Sequence, residues 1–396
     1  MPTTPRTGLE RGTGHDVIVV GGGAAGAATA MLLARRSIRT LLLEHGPPAK
    51  DTLSTHALLR GGVLQLARWG LLDEVAASGA PPIRRTTYRY GGDAVTISVK
   101  AAHGVDALYA PRRTVLDPLL VRAAAAAGAE VHHRTCVTDL IVAGGRVVGV
   151  SAVAADGRDV DLRARLVVGA DGVRSAVARL VDAPFTRSGR HAAAATYGYW
   201  SGLAADGYEW NFSPDACSGV IPTNDGQVCV VAFASPARID RGGLDRLTEV
   251  VAEGAPDLAA RLGQRRVRPP RTTRTWAGRP GYLRRAHGAG WALVGDAGHF
   301  SDPVSPQGLT DALRDAELLA SAIAEGMDRG SSSDLDEALA GYGSTRDRLS
   351  LPLFDVVDRI ASQRWDAQEI AELLARSSSA RATGIEATAE LLPEVA

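Results

Sequence analysis

The sequence predicts an α/β protein: a parallel sheet laid down by βαβ connections, an inserted and mostly antiparallel β-sheet, and C-terminal helices. Three observations carry this. Residues 16–20 are a short apolar run that breaks into glycines and then a helical pattern, as a buried parallel strand does. Residues 191–275 change texture, with alternating runs such as 228–233 and aromatics at Tyr197, Tyr199, Trp200, Tyr208, Trp210 and Phe212. From Gly308 onward the apolar spacing is helical almost throughout.

Taken in order, the strand at 16–20 leads into a helix reaching Ala34 and Arg36, and a second apolar run, 40–44, completes a βαβ unit. A polar loop precedes a helix over about 62–69. Residues 84–100 alternate like strands of the inserted sheet, and 113–128 are Ala- and Leu-rich and helical. Short strands follow at 131–133, 137–142, 147–153 and 160–163, with Gly144 and Gly145 as a hairpin turn. A buried strand spans 166–172 and a helix starts at Val173. Residues 244–262 read as one helix, 291–296 as a buried strand and 308–327 as a long helix. The chain is expected to fray from about Ser377.

Composition narrows the function classes. Of 396 residues, Lys+Arg and Asp+Glu number 44 each, so there is no basic footprint for nucleic acid. The longest apolar-leaning stretches are too interrupted by glycine to span a bilayer, and no stable membrane insertion is expected. Residues 1–14 lack an apolar core of the signal-peptide kind and read as a flexible leader. Cys136, Cys217 and Cys229 form no CxxC pair; they read as buried thiols in a reducing, cytoplasmic setting. His132 and His133 have no partner pattern, and no metal site is expected. A homodimer is left open.

The first motif with chemistry in it is Gly21-x-Gly23-x-x-Gly26, between a strand and a helix. The first glycine permits the tight turn, the second lets backbone approach a pyrophosphate, and the third lets helix and strand pack closely. The helix N-terminus, beginning at Ala24 and Ala25, presents free N–H groups to phosphates. Glu44, ending the second strand, is placed to accept hydrogen bonds from ribose hydroxyls. This is a Rossmann-type unit, and alone it does not separate NAD from FAD.

Two further motifs do. Gly169-Ala-Asp171-Gly172-Val-Arg174-Ser175 and Gly295-Asp296-Ala297-Gly298-His299 follow in order and lead into Ser301-Asp302-Pro303-Val-Ser-Pro-Gln307-Gly308-Leu309-Thr310. With them the chain resembles the class A flavoprotein monooxygenases of the para-hydroxybenzoate hydroxylase type, over residues 16–326. The resemblance implies a single FAD-binding domain assembled from 15–80, 105–184 and 276–328. A substrate domain would come from 81–104 and 185–275, and a helical region from 329–396. It implies non-covalent FAD, with the Asp171–Gly172 segment near the pyrophosphate and linked to nicotinamide binding. Asp296, after Gly295, would hold the ribityl and phosphate region, and Pro303 would lie beside the flavin ring. The N–H groups of Gly308, Leu309 and Thr310 would face the pyrimidine edge, where a helix N-terminus stabilises the negative charge of reduced flavin. Arg60 and Arg113 match arginines that approach FAD, with Arg112 adjacent, and Val137 matches a strand beside adenine.

The resemblance further implies an enzyme that uses NAD(P)H and oxygen to hydroxylate or epoxidise a small, aromatic or polyketide-like molecule through a flavin C4a-(hydro)peroxide. His56, in the loop before Arg60, is a candidate acid or base near neutral pH, or a histidine satisfying loop backbone. Tyr197, Tyr199 and Trp210 are candidate substrate contacts, or ordinary sheet core. Pro306 stands where the family often has glycine. That loop is also similar to flavin-dependent halogenases and geranylgeranyl-reductase-like enzymes, so a halogenase, dehydrogenase or ene-type reductase is the alternative. No second GxGxxG, redox-active Cys pair or GxSxG motif points elsewhere.

Overall fold

Aliphatic runs with no polar face have to be covered on both sides, and they form the centre of the first sheet. In the computed structural model, which describes residues 14–391, His15–Val20 pairs in parallel with Thr40–Glu44 on one side and with Asp159–Gly169 on the other. Trp291–Leu293 and Glu130–His133 extend the parallel array at its two ends. Helices Ala24–Arg35, Arg113–Ala126 and Gly308–Arg329 pack together against this array, and their Ala- and Leu-rich faces join its largest core. The leader expected over 1–14 lies, but for Gly14, outside the described residues.

The second sheet has seven strands in the order Arg274–Trp276, Ala194–Ser201, Gln227–Ala234, Cys217–Pro222, Tyr208–Phe212, Arg85–Tyr90 and Asp93–Ser98. All its pairings are antiparallel except Tyr208–Phe212 with Arg85–Tyr90. One face, carrying Tyr197, Tyr208, Trp210 and Phe233, packs against Val304 and the C-terminal helices. The other face is covered by Leu244–Gly254 and Pro256–Leu262. These are two helices where the sequence reads one: Pro256 has no N–H to continue the ladder and holds Ala255 out of the helical region, at φ −149° and ψ 69°.

Three more readings are corrected. The strands expected at 160–163 and 166–172 are one, Asp159–Gly169. Its first half pairs antiparallel with Arg146–Val153 and its second half in parallel with His15–Val20, so one strand joins two layers. Cys136 is exposed, unlike Cys217 and Cys229, because it starts a strand whose outer face meets solvent. The end of the chain does not fray at Ser377. Ala367–Leu391 is one helix, anchored in the core by Ile370 and Leu373, with Ser377 itself fully buried. Its small residues conceal this, because they give a weak apolar stripe.

Candidate cofactor and active site

The GxGxxG turn closes as its chemistry demands. Gly21 has φ +110°, and a Cβ there would lie 2.5 Å from the Ala170 carbonyl oxygen. A Cβ at Gly26 would run into the Gly21 carbonyl oxygen, so no larger residue allows the helix to sit this close. Helix Ala24–Arg35 starts with Gly23 as its cap, no side chain bonded to its first N–H groups and no acid in its first turn. Those donors, on Ala24, Ala25 and their neighbours, are left for an anion.

Arg113 approaches this helix end from the side, its Nη2 3.3 Å from where a Gly23 Cβ would stand. Asp117, one helical turn on, holds the guanidinium in a fork of 2.7 and 2.8 Å. Sequence reasoning missed Asp117, although the i,i+4 spacing from Arg113 was there to be read. Burial lifts the Asp117 carboxyl above its ordinary value, with Arg113 opposing.

Glu44 accepts from the N–H groups of Gly22 and Gly46, both at 2.6 Å, so its carboxylate is oriented by the turn it serves. The chain at Arg134 and Thr135 bonds back to the Gly46 and Glu44 carbonyls, which brings the strand carrying Val137 alongside. Asp171 turns inward: it accepts from Ser175 Oγ at 2.5 Å and from the Ala176 N–H at 2.6 Å, capping the next helix. Gly172, at φ +79°, faces open space.

Gly295 packs where a Cβ would lie 2.7 Å from Ala25 Cβ, which brings Asp296 to the same helix end. Among the described residues nothing donates a hydrogen bond to the Asp296 carboxylate. Burial raises its pKa to about 6, with Arg113 pulling the other way. A carboxyl, a guanidinium and a set of free N–H groups therefore converge without satisfying one another. That donor and acceptor set fits the diphosphate and ribityl chain of FAD.

The loop after this motif is clasped from below. Asp302 accepts from the N–H groups of Ala193 (2.8 Å) and Val304 (2.9 Å), tying Pro303 to the second sheet. Burial raises Asp302 to about 7, these two hydrogen bonds opposing. Helix Gly308–Arg329 starts with Gln307 as its cap and no side chain bonded to its N–H groups. A Cβ at Gly308 would meet nothing within 4 Å, and Leu309 is partly exposed beside it. Thr310 points the other way, its Oγ1 accepting from the Leu59 N–H at 3.2 Å.

His56 sits against the second sheet, beside Tyr199. It is 0% exposed, has φ +67°, and its Nε2 shares a short hydrogen bond with Tyr199 Oη. Arg112 lies over the Tyr199 ring, its Cζ 3.8 Å from the centroid. Burial lowers the His56 pKa to about 3, and Arg113, Arg112 and Arg274 add to this. That burial favours the neutral imidazole over the acid or base expected to titrate near neutrality, and its Nδ1 is buried without a partner.

Three other candidates land elsewhere. The Arg60 guanidinium donates to the carbonyls of Lys100, Ala102 and Val105, so it ties the helix start to that loop and not to the glycine turn. Tyr197 and Trp210 are 2% and 4% exposed and packed in the sheet core, where Tyr197 Oη accepts from the Ser54 N–H at 3.0 Å. Tyr199 alone of the three is half-buried.

The fold and this convergence define a nucleotide-cofactor protein with one cofactor domain and a second, mostly antiparallel sheet. The chain belongs to the FAD binding domain family, whose model matches residues 14–349. It is 27% identical over 334 residues to a digeranylgeranylglycerophospholipid reductase of Methanocella arvoryzae, covering 78% of this chain and 77% of that one. It is also 27% identical over 349 residues to the 3-demethoxyubiquinol 3-hydroxylase of Escherichia coli, covering 83% of this chain and 82% of that one. Among solved structures, the flavin-dependent brominase Bmp2 shares the fold with a TM-score of 0.78 at 19% identity, over 94% of each chain. The chain is accordingly an FAD-dependent oxidoreductase. Among the described residues no helix is long and apolar enough to cross a membrane.

Proposed function

We propose that the protein is an FAD-dependent monooxygenase that takes reducing equivalents from NAD(P)H and inserts one oxygen atom into a small aromatic or polyketide-like molecule. The net reaction consumes one NAD(P)H, one proton and one dioxygen; one oxygen enters the substrate and the other leaves as water. Bound FAD supplies the electron transfer and the oxygen activation.

The chain's own residues supply the rest. Gly23, Arg113 and Asp296 bind the diphosphate and ribityl chain, with Glu44 on the ribose. The Asp302 clasp fixes Pro303 against the sheet, where Ala57, Tyr197, Val231, Phe233 and Val304 form one apolar core. Such a wall excludes water from the reacting ring. The polar groups set into it are Tyr199 and His56. Neutral His56, with Nδ1 unpartnered and Nε2 on Tyr199, is suited to hydrogen-bond a substrate oxygen. This hydrogen-bonded pair at the second sheet, with Arg112 over the Tyr199 ring, is the observation that carries the proposal.

The second reading is an ene-type reductase, favoured by the Methanocella relative and by Pro306 in the flavin loop. Turnover under heavy-oxygen-labelled dioxygen with a panel of phenols and prenylated compounds separates the two. Monooxygenation puts one labelled atom in the product. A saturated product without label points to reduction.

A further inference from the structure

Among the described residues, helix Ala367–Leu391 is hydrogen-bonded to the flavin loop through one side chain. Arg381 Nη2 donates to Ser305 Oγ at 2.9 Å and its Nε to Gln307 Oε1 at 3.2 Å. Both acceptors are in the segment between Pro303 and the start of helix Gly308–Arg329. Neither is ionised, and no carboxylate pairs with Arg381 among the described residues.

The surrounding acids are already committed. Asp311, in the first turn of the flavin-loop helix, accepts from Gln307 Nε2 at 2.9 Å and pairs with Arg314 at 3.0 Å. Asp315 takes Arg314 at 2.7 Å. Glu386, one turn and a half along from Arg381, pairs with His103. A guanidinium drawn out of water without a counter-ion is costly. Here burial pulls the Arg381 pKa below its ordinary value. The positive charge adds to that of the uncapped helix N-terminus at Gly308, about half an elementary charge. Two positive sources therefore lie at one end of the cradle; the acid whose charge acts on Arg381, Asp311, is shared with Arg314.

We infer that Arg381 is a positioning residue for FAD: through Ser305 and Gln307 it holds the loop that frames the flavin ring, and its charge favours the reduced, negatively charged ring over the oxidised one. This rests on FAD occupying the cradle and not on oxygenation, so it stands or falls separately from the monooxygenase reading.

The test is the midpoint potential of bound flavin, measured by dye-coupled reductive titration of the FAD-loaded wild type, Arg381→Gln and Arg381→Lys. The affinity of each for oxidised FAD is read from flavin fluorescence. Arg381→Gln should weaken reduced relative to oxidised binding about tenfold, a fall of about 30 mV for a two-electron couple. Arg381→Lys, which keeps the charge, should retain the wild-type potential. An unchanged potential in Arg381→Gln, even with weaker FAD binding, would leave only a structural latch and overturn the inference. So would an equal fall in both variants. If Arg381→Gln does not fold, Arg381→Met replaces it in the same comparison: a potential below that of Arg381→Lys supports the inference and an equal one overturns it.

Discussion

Arg113 and Asp117 make the sharpest prediction for single side chains. A buried pair stripped of one member leaves an uncompensated charge, so Arg113→Met should destabilise the fold by about 3–5 kcal/mol in urea unfolding. Adding Asp117→Leu should restore most of the stability but none of the lost FAD affinity, because only Arg113 reaches the glycine turn. Equal FAD affinity in the double variant and the wild type would remove Arg113 from the site. His56 predicts a pH dependence. Its folded pKa of about 3 lies below its ordinary 6.5, so its contribution is complete above about 6.5 and is lost as pH falls toward 3. His56→Gln should flatten that acid limb in thermal melts, and a wild-type limb unchanged by the substitution would contradict the assignment. The motif residues were legible because glycine spacing and a strand-end acid have few other causes. The state of His56 was not, since it depends first on burial and then on three arginines distant in sequence.

The elements that position the site follow from pattern at the centre and from tertiary contact at the edges. The central strands and the helices that begin at Ala24, Arg113 and Gly308 were readable because their apolar periods are unambiguous. The terminal helix was not, because its stability comes from burial of a few residues and not from amphipathic strength. Leu373→Ala should therefore cost about 2–5 kcal/mol, the usual loss for a buried leucine. A loss below about 0.5 kcal/mol, as at an unanchored surface position, would return this segment to a frayed tail. The Pro303 loop makes the opposite pH prediction to His56. Asp302 is raised from 3.8 to about 7, so its contribution is full below about 3.8 and is lost as pH rises through 7. Asp302→Asn should remove that slope from stability measured across the interval, and an unchanged slope would place it on another group.

For the molecule as a whole, the cofactor should be a structural element as well as a reagent. On the proposed binding mode it joins the glycine turn to the Asp296 motif and the Pro303 loop that follows it, which lie far apart in sequence. FAD at roughly a hundredfold over its Kd should stabilise the folded state by about 2.7 kcal/mol, seen as a concentration-dependent rise in Tm. FMN, which lacks the adenosine half, should do less because it cannot reach Glu44. A fold class with one cofactor domain and an inserted sheet was legible from motif order, because these motifs occur at strand ends that only one arrangement brings together. The substrate was not legible, since the sheet side chains proposed to meet it have partners set by tertiary packing. The most direct test of the monooxygenase account is anaerobic addition of NADH or NADPH to the FAD-loaded protein, following the visible flavin band with and without candidate aromatic compounds. The account predicts bleaching that accelerates when a substrate is present, because the flavin waits for its substrate before it is reduced. Failure of both nucleotides to bleach a flavin that dithionite reduces readily, with every candidate compound present, would contradict it.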